Sequence, residues 1–403
     1  MLELKDFEAA ADRLKNVIHN IPLSTSATFS AMTGAEVYLK YENQQKTGSF
    51  KVRGAYNKIM KRYAEGDLHA VVASSAGNHA QGVAFAASSV GVKSTIVMPR
   101  STPIAKVSAT QGYGADVVLA GNIYDEAYAK ACEICEETGA EFIHPFDDED
   151  VMAGQGTIAL EILRDLPGVD MIFVPAGGGG LISGVAACAK QINPRIQIIG
   201  VQAEGAPAIA NSFRTGERTP SDTVHTIADG IAVKTPGEKT FEYIKKYVDR
   251  VVTVSDDEIA SAVLLLLERC KQVVETSGAA PLAAVLNNKV DVKGKKVVCV
   301  LSGGNIDVSF IHKIVEKGLI TRCRQLKFSV LMPDAPGALE HFSHIVAQQN
   351  ANIILFQHDR VQTDLEIGEA IIHVVCEVGG VDHAKRLIDT LTDDGYKVFT
   401  SQI

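Results

Sequence analysis

With 403 residues, 46% of them hydrophobic and 22% charged, the chain has the composition of an ordinary globular protein and length for about two to three domains. A formal net charge of −9, with acidic and basic residues interspersed and no polybasic tail, argues against a nucleic-acid or anionic-membrane partner. The longest apolar run, residues 259–267 (IASAVLLLL), is too short to span a bilayer and predicts a buried helix.

In chain order, MLELKDFEAAADRL predicts an acidic amphipathic helix and not a signal peptide. KTGSFKVRGA follows at residues 46–55 and sets Lys51 between Phe50 and Val52, with no carboxylate nearby in sequence. A lysine that is partly desolvated there loses its proton more easily and becomes a nucleophilic amine, the form a Schiff base needs. The competing reading is a lysine that snorkels its head to water along an apolar stem. Short apolar strands then alternate with helices. Strands are predicted at 71–73, 95–98, 116–120, 171–175, 196–202, 250–254 and 296–302, with helices between them, for instance over 78–89 and 180–192. This is the pattern of an α/β protein with mostly parallel sheets, in which ligands bind beyond the carboxyl ends of the strands.

Three of those strand ends carry small-residue turns. Ser74 to His79 (SSAGNH) precede the helix over 78–89, and Asn78 reads either as a helix cap or as an amide aimed at a ligand. Gly177, Gly178, Gly179 and Gly180, with Leu181, follow the strand over 171–175. Their backbone can curl so that successive N–H groups and a helix N-terminus form an anion cradle. The spacing is neither the dinucleotide fingerprint nor a P-loop; the other reading is a flexible turn. Ser302-Gly303-Gly304-Asn305 ends the strand over 296–302, and Ser302 is either a turn residue or a hydroxyl facing a buried ring. The seven cysteines are scattered, which suits a reducing cytosol. Cys132 and Cys135 have C-x-x-C spacing on a predicted helix with no second pair, and are read as structural. His341 and His344 likewise lack further metal ligands, and no metal is expected. After about residue 320 the basic stretch TRCRQLK predicts a linker, followed by strand, helix, strand, strand, helix, strand to residue 400: a βαββαβ module.

A phosphate for the glycines, a carbonyl able to trap a lysine and a ring atom needing a hydrogen bond together describe pyridoxal phosphate. SFKVRGA, SSAGNHAQG, PAGGGGLISG and LSGGN, in that order and spacing, resemble the fold-type II pyridoxal-phosphate enzymes and, among them, the threonine dehydratase (threonine ammonia-lyase) family, over essentially residues 1–320. The tail from about residue 325 resembles an ACT domain, a regulatory module that often binds amino acids. The resemblance implies a large α/β domain from residues 1–69 and 147–320, a small α/β domain over 70–146 and an ACT domain over 325–403. It implies that Lys51 holds pyridoxal 5'-phosphate covalently and that Phe50 packs against the pyridine ring. Asn78 bonds the 3-hydroxyl, Gly177 to Gly180 and Leu181 donate to the phosphate, and Ser302 faces the pyridine nitrogen. Ser75, Ala76, Gly77, Asn78 and His79 hold the substrate carboxylate. The implied activity is β-elimination of L-threonine, and of L-serine, to the oxo acid and ammonia, in a cytoplasmic homodimer or homotetramer. An isoleucine-like amino acid or a nucleotide would regulate it at Asp334, Pro336, Gly337, Ala338 and Leu339.

Two departures narrow the activity. Serine racemases of this scaffold carry a second base, a serine, where this chain has Ala76, which cannot accept a proton. The same relatives bind a divalent cation through carboxylates where this chain has Gln202 and Ala208; Glu204 and Glu217 lie nearby without making a divalent site. Glu275 in VVETSGAAP either faces the active site or is structural. The alternatives are a serine dehydratase or racemase on the same scaffold, and a non-catalytic amino-acid sensor; a nucleotide-binding dehydrogenase has the wrong glycine spacing.

Overall fold

The computed structural model describes residues 1–66, 68–360 and 366–400. It divides into two compact units, Met1–Ile306 and Asp307–Ile403.

In the first unit the strands are β1 (Ser24–Thr25), β2 (Glu36–Tyr41), β3 (Ala70–Ser74), β4 (Lys93–Met98), β5 (Asp116–Leu119), β6 (Glu141–Phe142), β7 (Met171–Pro175), β8 (Gln197–Ala203), β9 (Arg250–Val254) and β10 (Lys296–Leu301). They form a six-stranded sheet in the order β1-β2-β10-β7-β8-β9 and a four-stranded sheet in the order β5-β4-β3-β6. Every pairing is parallel except β1 with β2. The central strands show why. All five residues of β7 are buried and five of the six in β10, which suits a sheet covered by helices on both faces. The helices Asn78–Ser89 and Gly180–Ile192 span the residues the sequence predicts. The apolar run at 259–267 lies in the helix Asp256–Leu265 and the π turn Leu266–Cys270 that continues it, with Leu264 to Leu266 buried.

The sequence reading missed β2, for a physical reason. Lys40 and Glu42, at and just past its end, are fully buried, which no apolar pattern announces. They belong to a charge-balanced cluster. The buried Arg53 guanidinium grips Glu42 at 2.7 and 2.8 Å and Glu161 at 2.7 and 2.9 Å, while Lys40 Nζ lies 2.5 Å from Glu161. Arg53 sits in the first turn of the helix Lys51–Glu65, so the cluster anchors that turn to the sheet.

Helices Glu149–Asp165 and Gly180–Ile192 approach closely through glycine. A Cβ on Gly184 would lie 2.2 Å from the Met152 carbonyl oxygen, and one on Gly156 would lie 2.8 Å from the Gly184 carbonyl oxygen. This contact fixes where the second helix begins, and therefore where the glycine quartet sits.

The second unit opens with the helix Val308–Thr321 and continues as β11 (Gln325–Pro333), helix Ala338–Gln348, β12 (Asn352–Asp359), β13 (Glu369–Glu377), helix Val381–Asp393 and β14 (Lys397–Phe399). Its sheet has the order β12-β13-β11-β14 and is antiparallel throughout. Alternate residues of β11 and β13, such as Phe328, Val330, Ile372 and Val374, form one core with Phe342, Ile345, Leu387 and Leu391 of the two helices. The βαββαβ order is as expected, but the linker is shorter: Thr321 still ends a helix and Gln325 already starts β11, leaving residues 322–324 to connect them. Leu326 is fully buried, which draws the strand to begin inside the basic stretch. Among the described residues, no helix is long and apolar enough to cross a membrane.

Candidate active site

Lys51 is the first residue of its helix, and the chain around it is stitched to the turn after β10. Phe50 N–H donates to the Ser302 carbonyl at 3.0 Å, Ser49 pairs with Gly303, and Gly304 N–H donates to Gly48 at 2.9 Å. The second motif packs on the same point. A Cβ on Gly82 would lie 3.1 Å from the Lys51 carbonyl carbon, so a larger residue would push the helix Asn78–Ser89 off by a few tenths of an ångström.

The Lys51 amine does not reach into bulk water. Its Nζ donates to the Pro145 carbonyl at 2.7 Å and lies 5.3 Å from the Phe50 ring centroid. Although the residue as a whole keeps some exposure, burial around the amine lowers its pKa to about 8, against the opposing pull of the Glu275 carboxylate. The next residue, Phe146, leads to the glycine quartet: a Cβ on Gly178 would lie 2.4 Å from its ring, and one on Gly180 2.8 Å from its Cα. Pro145 and Phe146 thus bridge the lysine and the quartet. His144 Nδ1 holds this bridge by accepting from Phe146 N–H at 3.2 Å and Asp147 N–H at 2.8 Å. Burial lowers the His144 pKa, which keeps the ring in the accepting form.

The quartet is pinned by its carbonyls. Gly178 accepts from Thr240 Oγ1 at 2.7 Å and from Gly237 N–H at 3.2 Å, and Gly179, at φ +100°, turns the chain into the helix Gly180–Ile192. Among the described residues, no hydrogen bond uses the N–H groups of Gly177, Gly178, Gly179, Gly180 or Leu181, although all five residues are buried. Buried donors of that kind at a helix N-terminus suit an anion.

Asn78 begins its helix but does not cap it; Gly77 takes the cap position. The Asn78 amide instead donates to both Glu275 oxygens, at 2.8 and 3.0 Å, and accepts from Asn305 at 2.6 Å. The Glu275 carboxyl is raised to about 7, chiefly by burial, with the Asn78 hydrogen bond opposing. Ser302 is buried on the turn that holds Phe50, and its hydroxyl forms no hydrogen bond among the described residues. The Ser75 hydroxyl accepts from Gly77 N–H at 3.2 Å. One side of the His79 ring is committed: its Nε2 bonds the Ile143 carbonyl at 2.8 Å, and burial, then the Lys51 charge, lowers its pKa to about 3. Its buried Nδ1 has no hydrogen-bond partner among the described residues. In the second unit, Asp334, Pro336 and Gly337 lie on the turn between β11 and the helix Ala338–Gln348, which Ala338 and Leu339 open; all but Ala338 are exposed, and Asp334 Oδ1 is 3.3 Å from Arg360 Nε.

Sequence reasoning gave no role to Pro145, Phe146, His144, Thr240 or Asn305. Asn305 is the last letter of a quoted motif, so it was within reach. Pro145 acts through its backbone carbonyl and Phe146 through its bulk against glycines, and neither leaves a mark in the residue pattern. The assembled set can do three things: hold an anion on backbone amides, present an amine with a lowered pKa, and offer a fixed amide beside them. It fits an aldehyde that carries a phosphate.

The description "Pyridoxal-phosphate dependent enzyme" belongs to the family model that matches residues 14–303. An L-threonine ammonia-lyase of Thermotoga maritima is 50% identical over 398 residues, 99% of each chain. A catabolic L-threonine dehydratase of Escherichia coli K12 is 45% identical over 313 residues, covering 77% of this chain and 95% of its own. Among solved structures, the processed form of threonine deaminase isoform 2 from Solanum lycopersicum superposes with a TM-score of 0.74 at 39% identity, covering 78% of this chain and 92% of that one. Lys51, Asn78, the glycine quartet and Ser302 all fall within the matched span, and the chain belongs to the pyridoxal-phosphate dependent enzyme family.

Proposed function

We propose that this protein is a threonine ammonia-lyase, converting L-threonine to 2-oxobutanoate and ammonia and L-serine to pyruvate and ammonia. The observation that carries the reading is the Lys51 amine, lowered to about 8 and joined through Pro145 and Phe146 to a loop of free buried amides. Bound pyridoxal phosphate supplies an electron-accepting ring that makes the substrate's Cα proton acidic. Lys51 would anchor that cofactor, and its Nζ would accept the Cα proton. The amides of Gly177 to Gly180 and Leu181 hold the phosphate, Phe50 lies against the ring and Asn78 donates to the ring's 3-hydroxyl.

Ser302 faces the pyridine nitrogen with a hydroxyl, which cannot keep that nitrogen protonated as a carboxylate would. A ring held in this way would be a weaker electron acceptor, which would favour elimination. Backbone donors from Ser75, Ala76, Gly77, Asn78 and His79 hold the substrate carboxylate. Ala76 offers no proton acceptor, which favours elimination over racemisation.

The second unit acts as an ACT regulatory domain whose 334–339 turn takes an isoleucine-like amino acid or a nucleotide, within a homodimer or homotetramer. The large and small α/β domains divide near residues 70 and 146. Seven free cysteines suit a reducing cytoplasm.

The test is a product assay on purified protein with L-threonine and L-serine, with and without isoleucine. The expected products are 2-oxobutanoate and pyruvate. Lys51→Ala should lower turnover by about 10⁴-fold, the upper range for losing a proton-transfer group, with an unchanged circular dichroism spectrum. Racemised serine without oxo acid, or near-wild-type turnover by Lys51→Ala, contradicts the reading.

A further inference from the structure

The Asn78 amide is held on both edges. Its Nδ2 lies 2.8 and 3.0 Å from the oxygens of Glu275, and its Oδ1 accepts from Asn305 Nδ2 at 2.6 Å. The same Asn305 nitrogen donates to the Thr47 carbonyl at 2.9 Å. Four separate segments of the chain therefore form one line of hydrogen bonds, and its direction is fixed at both ends. A backbone carbonyl only accepts, so Asn305 must turn its NH2 toward Thr47 and Asn78. Above about pH 7, where the Glu275 carboxyl is ionised, it also only accepts, so Asn78 must turn its NH2 toward Glu275. Flipping Asn78 would set its oxygen against the carboxylate and its NH2 against another NH2, turning its contacts with both Glu275 and Asn305 into repulsions.

The pair is built in, not incidental. Glu275 is 6% exposed, and its own N–H donates to the Gly303 carbonyl at 2.9 Å. A Cβ on Gly303 would lie 2.4 Å from Glu275 Oε1 and 3.1 Å from Asn78 Nδ2, so glycine at that position leaves room for the contact.

We propose that Glu275 and Asn305 are positioning residues that lock the Asn78 amide in one orientation, one N–H spent on Glu275 and the other offered to the cofactor's ring oxygen. Neither residue touches the cofactor in this role; both act through Asn78. This rests on the cofactor reading proposed above and assigns work to two residues that it leaves idle.

The test compares holoenzymes of wild type, Glu275→Gln and Asn305→Asp by three readings: the absorption maximum of the bound cofactor, the dissociation constant for pyridoxal phosphate, and the melting temperature of the cofactor-free protein. Gln keeps the size of Glu275 and can still accept from Asn78, but it can equally present its own NH2, so the lock becomes two-way. Asp at 305 removes both donors and drives Asn78 to flip. The expected result is a shifted absorption maximum in both variants, with cofactor binding weakened about tenfold in Glu275→Gln, the scale of one hydrogen bond, and more in Asn305→Asp. If Asn305→Asp does not fold, Glu275→Gln carries the test alone. A wild-type absorption maximum and affinity in Glu275→Gln, with only the melting temperature lowered, would show a structural role and overturn the proposal. Wild-type protein that binds no pyridoxal phosphate would overturn both this proposal and the function proposed above.

Discussion

An amine with a pKa of about 8 is roughly one-tenth neutral at pH 7, where an ordinary lysine is only about 0.03% neutral. That gain of roughly 300-fold in reactive amine is what the burial of Lys51 accomplishes. The sign is definite: the neutral form attacks an aldehyde, so capture of pyridoxal phosphate by cofactor-free protein should quicken as pH rises and level off above about 8. Stopped-flow absorbance measures this, and a rate still climbing toward pH 10.5 would show an ordinary exposed lysine. Part of this site was legible from single residues. Phe50 and Val52 flank a lysine with no carboxylate near it in sequence, and the structure keeps its amine from bulk water. The partners of Asn78 were not legible, because Glu275 and Asn305 lie 197 and 227 residues away along the chain. The His79 ring sits inside the ligand motif in sequence, and the contact of its Nε2 with the Ile143 carbonyl, 64 residues away, left no mark there.

At the level of elements, the site is a set of helix starts. Lys51, Asn78 and Gly180 each open a helix, and Gly180 is held in place by the glycine contact between helices Glu149–Asp165 and Gly180–Ile192. Gly184→Ala should destabilise the protein by about 1–3 kcal/mol, because its Cβ would meet the backbone carbonyl of Met152 at 2.2 Å and neither helix can yield without strain. Denaturant unfolding reads this directly, and wild-type stability in the variant would show that the contact relaxes freely. The sequence marks such helices well, since small and apolar residues run from a turn to a polar end. It marks β2 poorly, since buried Lys40 is compensated by Glu161, 121 residues away along the chain. Removing one member would leave buried charge uncompensated, so the Arg53→Met variant should lose about 3–5 kcal/mol, again by denaturant unfolding; an unchanged midpoint would show that the cluster anchors nothing.

For the whole molecule, the two units carry separate cores, Met1–Ile306 around its two sheets and Asp307–Ile403 around one. The Escherichia coli relative is covered over 95% of its own length by only 77% of this chain. A body of that extent is thus sufficient for a protein of this family. Truncation after Ile306 should therefore retain oxo-acid formation and lose any response to isoleucine; inhibition unchanged in the truncated protein would place the effector elsewhere. The order of elements in the second unit was legible from its alternating strands, but the start of β11 inside a basic stretch was not, because burial of Leu326 outweighs the charges around it. Both units and their proposed roles depend on one bond to one nitrogen. Borohydride reduction of the purified protein, followed by peptide mass mapping, tests it most directly. A reduced pyridoxal phosphate adduct on the peptide containing Lys51 is the predicted result, and an adduct on another lysine, or none, contradicts it.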